Sequence, residues 1–127
     1  MPGYTAKQID EMEGAFGGGL KKARAELGVS SFGMQVVDLP PNYNDYPEHD
    51  HEQDGQEEVY SVMRGSGAIE IEGERIELTP DVMIRVGPGI KRKLFAGPEG
   101  LRVLALGGKP GEPYAIAEFT ELSSAGA

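Results

Sequence analysis

The sequence predicts an all-β domain of short strands, and three observations carry that reading. It holds 19 glycines and 9 prolines in 127 residues, so turns are frequent and long helices few. From Glu57 onward the turn signals recur at the spacing of a sandwich or barrel: Gly65-Ser66-Gly67, Gly73-Glu74, Thr79-Pro80-Asp81, Gly87-Pro88-Gly89 and Gly97-Pro98-Glu99-Gly100. Between them apolar and charged residues alternate, Ile69 and Ile71 against Glu70 and Glu72, the two-residue period of a half-buried strand.

The length fits one domain, divided here into an N-terminal arm with a short helix (1–30), a β-barrel (31–120) and a flexible tail (121–127). Residues 1–19 are polar and weakly patterned and end in three glycines. They read as a loosely held arm whose removal should leave the barrel folded. Leu20–Leu27 uses strong helix formers and stops at Gly28, a left-handed cap. Two turns of helix need packing to persist. Ser31–Leu39 alternates as a strand and is ended by Pro40-Pro41. The later strands are Glu58–Arg64, Ala68–Glu72, Arg75–Leu78, Val82–Val86, Ile90–Phe95 and Leu101–Leu106, followed by a Gly/Pro-rich tail with an apolar patch from Tyr114 to Phe119.

Twelve basic against 21 acidic residues give a net charge of −9, which repels phosphate backbones and anionic lipid, so neither nucleic acid nor membrane is an expected partner. The absence of cysteine excludes disulfides and thiolate-ligated zinc. No basic-then-apolar leader is visible, and no apolar run approaches the ~20 residues that span a bilayer. A cytoplasmic protein is the expectation.

One stretch carries chemistry. His49 and His51 are the only histidines, and at i and i+2 in a strand they share a face. Two imidazoles and a carboxylate make an open ligand set for Fe, Mn, Ni, Zn or Cu. Spacing alone leaves this level with a pair of solvated loop histidines.

The segment from His49 to Gly65 resembles the first motif of the cupins, H-x-H followed by a Glu, six residues and Gly. His49 and His51 fit, and Glu58 stands seven positions before Gly65. Glu57 misses the register and should face the other side of the strand. The loop between His51 and Glu58 is longer than the motif's usual one, which costs little in closure entropy. The resemblance spans roughly residues 33 to 106. It implies a double-stranded β-helix (jelly-roll) barrel, often a homodimer, with a small-molecule pocket and metal ligands at His49, His51 and Glu58. The family includes dioxygenases, decarboxylases, isomerases, epimerases and sensing domains, so the fold does not choose an activity.

The second motif departs from the pattern. Counting from Gly89, Arg92 occupies the place of the last metal-binding histidine, and a guanidinium has no lone pair to give. Alternation puts Arg92 inward with Leu94, and Lys91 and Lys93 outward. Two outcomes follow. A three-ligand metal site could hold with Arg92 near its open face, binding an anionic substrate group. Alternatively Arg92 pairs with Glu58 inside the barrel and replaces the metal's charge, and the sequence leans to this metal-free form. Tyr60 shares the face of Glu58 and joins Arg92 as a pocket candidate. Tyr43 and Tyr46 precede His49 and could cap the mouth, while Gln53, Asp54 and Gln56 are weaker candidates.

The function this implies is binding of a small polar or anionic metabolite. His49, His51, Glu58 and Arg92 would be the catalytic candidates for isomerase, lyase or oxygenase chemistry. A non-catalytic, metal-free sensing module is the alternative.

Overall fold

A computed structural model describes residues 3–123, so residues 124–127 of the expected tail lie outside it. The described residues build seven strands and one short α-helix: β1 (Gly14–Ala15), β2 (Leu20–Lys21), α1 (Ala23–Leu27), β3 (Gly33–Leu39), β4 (Glu57–Ile71), β5 (Glu74–Leu78), β6 (Met83–Val86) and β7 (Arg92–Gly108). All pairings are antiparallel. The expected all-β fold is present.

The strand count differs from expectation for a physical reason. Gly65-Ser66-Gly67 and Gly97-Pro98-Glu99-Gly100 do not end strands. They lie inside the two long strands β4 and β7, which pair from Glu57↔Gly108 to Ile71↔Arg92 with register shifts at Val62/Arg64 and Gly65/Gly67. Gly65 takes φ 82°, and a Cβ there would stand 2.2 Å from the Gly100 carbonyl oxygen. Glycine lets the ribbon bend at close approach instead of turning back. A true two-residue hairpin does form one position before the expected Gly73-Glu74, with Glu72 and Gly73 at φ 49° and 85° between paired Ile71 and Glu74.

The bend creates two layers. One runs β6, the first half of β4, the second half of β7, β3, β2 and β1; the other holds β5 and the remaining halves of β4 and β7. Val37, Leu39, Val62 and Val103 from the first meet Ile69, Leu78 and Leu94 from the second in one core. Each such aliphatic side chain contributes ~1.5–3 kcal/mol by leaving water.

The N-terminal segment is not a loose arm. Leu20 and Lys21 pair with Val37 and Val36 as well as with Ala15 and Gly14, so the helix expected over Leu20–Leu27 begins only at Ala23. Tertiary pairing overrides helix propensity here. Gly28 caps α1 at φ 81°, its N–H donating to the Arg24 and Ala25 carbonyls. Met12 is buried with Ala23 and Val36 on the outer face of β3. Beside them Arg102 donates to Asp38 at 2.7 Å and also to Asp10. The apolar patch of the tail folds back, placing Phe119 against Phe16 with ring centres 6.2 Å apart. Among the described residues no helix is long and apolar enough to cross a membrane.

Candidate functional site

The site forms where the loop after β3 crosses to the second layer. Asn42 donates to the Gly97 carbonyl, and Ala96 to that of Tyr43. His49 and Arg92 then exchange backbone hydrogen bonds as an isolated antiparallel bridge. The His51 N–H donates to the Pro88 carbonyl. These bonds lay the loop along the first half of β7 and aim both imidazoles at Glu58, which β4 presents from the opposite layer.

Glu58 is the centre of this cluster. His51 Nε2 lies 3.1 Å from Glu58 Oε1 and His49 Nε2 lies 4.0 Å from it, and one ligand atom from each of the three residues falls within 4.8 Å of the others. The Tyr60 hydroxyl donates to Oε1 at 2.5 Å. Arg92 Nη1 stands 3.3 Å from the same oxygen, while its Nη2 donates to the Gly87 carbonyl. The named contacts fall on Oε1, leaving Oε2 clear of them. Glu57, as expected, faces outward, where it pairs with Arg85 at 2.8 Å.

The outer ring nitrogens are also held. His49 Nδ1 is 3.1 Å from the Pro47 carbonyl, and His51 Nδ1 is 3.0 Å from the Asp54 carboxylate. Acceptors at both Nδ1 atoms fix the protons there and turn the Nε2 lone pairs inward, the arrangement that orients imidazole ligands around metals. His51 Nε2 is buried, and its approach to Glu58 is too poorly aligned to count as a hydrogen bond.

Burial works against the Glu58 carboxylate, but the close approach of His51 Nε2, the hydrogen bond from Tyr60 and the charges of His51 and Arg92 outweigh it and hold its pKa below the usual value. The Glu58 carboxylate raises that of His51, with burial opposing and Asp54 adding to the rise. Burial, reinforced by the Glu58 charge, pushes the Tyr46 and Tyr60 phenols well up, so both stay protonated.

A cavity of about 1550 Å³ opens beside the cluster, lined among others by His49, His51, Glu58, Tyr60 and Tyr46. Arg92 is not on its wall. The side chain is fully buried behind Glu58, and its Nε and Nη1 have no hydrogen-bond partner. It is inward with Leu94, as alternation required, yet a ligand in the cavity meets it only through Glu58. Tyr43 and Gln53 reach the exposed rim.

Residues given little weight in the sequence matter here. Asp54 orients His51 and is itself held by the Gln56 backbone and side-chain N–H groups. Tyr46 packs its ring 5.7 Å from that of His49. Gln35 and Tyr114 line the cavity from β3 and from the tail. The only local signal for Asp54 was its place three residues after a histidine; Gln35 and Tyr114 arrive by tertiary folding alone.

The donor set fits a divalent metal: two imidazoles with their outer nitrogens held, and one carboxylate with a clear oxygen. Arg92 opposes the ion in charge without blocking a ligand atom.

No protein-family model matches the sequence, and no curated protein matches it. Solved structures do. A cupin protein from Bacteroides fragilis is 23% identical, with a TM-score of 0.71 over 92% of this chain and 93% of that one. KdgF from a Halomonas species is 16% identical, at 0.59 over 72% and 76%. The DMSP lyase DddQ from Ruegeria pomeroyi is 22% identical, at 0.56 over 73% and 46%. The chain therefore has the cupin fold.

Proposed function

We propose that this cupin barrel binds a divalent metal through His49 Nε2, His51 Nε2 and Glu58, and acts on a small polar or anionic metabolite at the metal's open face. The observation that carries this is the pair of held Nδ1 atoms, which leaves two inward lone pairs beside one carboxylate. Bound there, the ion would supply Lewis-acid polarisation of a substrate carbonyl or carboxylate. Arg92 and the ion together outweigh the charges of Glu58 and Asp54, so the ligand that balances the site is an anion. Tyr60, kept protonated, holds the Glu58 carboxylate in place from the cavity wall. Isomerase or lyase chemistry suits this set; a lyase is among the proteins that share the fold. With iron, oxygenase chemistry is the other class it serves.

Metal content of untagged protein, purified without chelators, tests the reading. Near-stoichiometric Fe, Mn, Ni, Zn or Cu, lost in His51→Ala, is the expected result. A metal-free protein that also fails to take up added metal would overturn it.

The 3.3 Å approach of Arg92 to Glu58 favours a second reading, in which the guanidinium stands in for the ion. His51, raised in pKa, and Glu58, lowered, would then form a ready acid and base for a bound carbonyl compound, or simply a binding pocket without turnover. Ligand-induced stabilisation of metal-free protein would favour it.

A further inference from the structure

The loop between His51 and Glu58 does more than join two candidate ligands. The Gly55 N–H donates to the His51 carbonyl at 2.8 Å, and Gly55 takes φ 71°, so the chain turns back and brings Asp54 beside the His51 ring. The Asp54 side chain is still 46% exposed, and an exposed carboxylate on a loop has rotamers that leave the imidazole. Gln56 removes that freedom. Its backbone N–H donates to Asp54 Oδ1 at 3.2 Å and its Nε2 to Oδ2 at 3.1 Å. Both oxygens are thus held while they face His51 Nδ1, at 3.1 and 3.0 Å.

Gln56 is fixed in turn by a side chain that Gly107 lacks. Gln56 is only 9% exposed. A Cβ on Gly107, which pairs with Glu58 across β4 and β7, would stand 2.5 Å from Gln56 Oε1 and 3.5 Å from Glu58 Cγ. Gln56 and Glu58, two positions apart, therefore share the face over Gly107, and the amide lies in the space a larger residue would fill. Gly107 is not among the glycines of positive φ, so its backbone conformation does not demand glycine. The seat for Gln56 does.

We propose that Gln56, seated on Gly107, is a positioning residue for the metal site, acting through Asp54 to hold the His51 imidazole with Nε2 toward Glu58. This rests on the metal reading proposed above. A carboxylate takes only donors, so the amide presents Nε2 to Asp54 and Oε1 to Gly107. One side chain thereby ties the histidine ligand to the strand that carries the carboxylate ligand, and sets their separation across the intervening loop. Partners at this remove govern metal affinity because they fix the orientation and tautomer of the ring.

The test is a competitive chelator titration of the full-length protein with Zn²⁺, joined to proton NMR of the Zn²⁺-loaded form. Gln56→Met keeps the volume and removes the Nε2 donor, so it should fold like the wild type yet bind Zn²⁺ about tenfold more weakly. The His51 Nδ1–H should exchange faster with water, while that of His49, held by the Pro47 carbonyl, stays unchanged. Gly107→Ala, which displaces the amide, should reproduce both effects. It should add no loss in a Gln56→Ala background, where nothing is left to displace. Gln56→Met decides alone if Gly107→Ala does not fold. Unchanged affinity in Gln56→Met would overturn the proposal, as would equal disturbance of both histidines or additive losses in the double variant. A wild type that takes no Zn²⁺ fails at the earlier proposal. Exchange of the Gln56 side-chain amide protons in that metal-free protein then decides the seat: a faster rate in Gly107→Ala supports it, and an equal rate overturns it.

Discussion

His49 and Arg92 are direct backbone partners: His49 N–H donates to the Arg92 carbonyl at 3.0 Å, and Arg92 N–H returns to His49 at 2.9 Å. Residues directly opposite in an antiparallel pair present their side chains on one face. Arg92 therefore stands across from the first histidine of the cluster, at the place where a fourth ligand would come from. Its guanidinium instead reaches Glu58 from behind.

That placement makes Arg92→His informative. The imidazole should add a ligand and remove an opposing charge, raising affinity for a divalent ion by tenfold or more in a competitive chelator titration. The lost Gly87 contact should cost ~1 kcal/mol in the metal-free form. No gain in affinity would place position 92 outside the reach of the ion.

Glu58 is the partner that a fully buried Arg92 needs. Glu58→Ala should lower stability by ~3–5 kcal/mol, because it strands a buried cation and also frees the Tyr60 hydroxyl. Urea unfolding of the chelated protein would measure it, with Glu58→Gln costing less since the amide still accepts. An unchanged midpoint for Glu58→Ala would dismiss the ion pair.

Stability of the metal-free protein should depend on pH in two directions. Glu58 is depressed below 4.5, so its contribution is complete above that pH and is lost as pH falls through its lower folded value. His51 is raised above 6.5, so its contribution is complete below 6.5 and is lost as pH rises through its higher folded value. Thermal unfolding in chelator should peak between about 4.5 and 6.5. Asp54→Asn should bring the alkaline loss to lower pH. A flat profile from pH 5 to 8 would contradict the His51–Glu58 coupling.

Removing residues 1–19 should destabilise the protein, contrary to the expectation from sequence. The deletion uncovers the seat of Met12 against Ala23 and Val36 and takes Asp10 from the buried Arg102. A drop of several degrees in melting temperature with increased aggregation is expected by scanning calorimetry; a truncated chain as stable as the full one would make the segment dispensable.

Much of this was legible along the chain. Alternation placed Ile69, Leu94 and Arg92 inward, local spacing set His49 and His51 on one face, and the resemblance to the cupin motif added Glu58. Turn chemistry was less decisive. Gly65 and Gly67 carry the same signal whether a strand reverses or bends, and only the pairing of β4 with β7 chose the bend. Likewise Leu20–Lys21 holds helix formers that a neighbouring strand edge at Val36–Val37 drew into the sheet.

By itself the sequence determined the periodicity, the charge and the shared face of His49 and His51, because each rests on residue type and near spacing, while its resemblance to the cupin motifs pointed to Glu58 and to Arg92 at the place of the fourth ligand. Only the tertiary structure decided that Arg92 sits behind Glu58 rather than on the cavity wall. It also decided that Asp54 and Pro47 hold the outer ring nitrogens, and that Gln35 and Tyr114 line the cavity. Those relations join residues tens of positions apart, and their distances are fixed by strand register and packing, which no local pattern encodes.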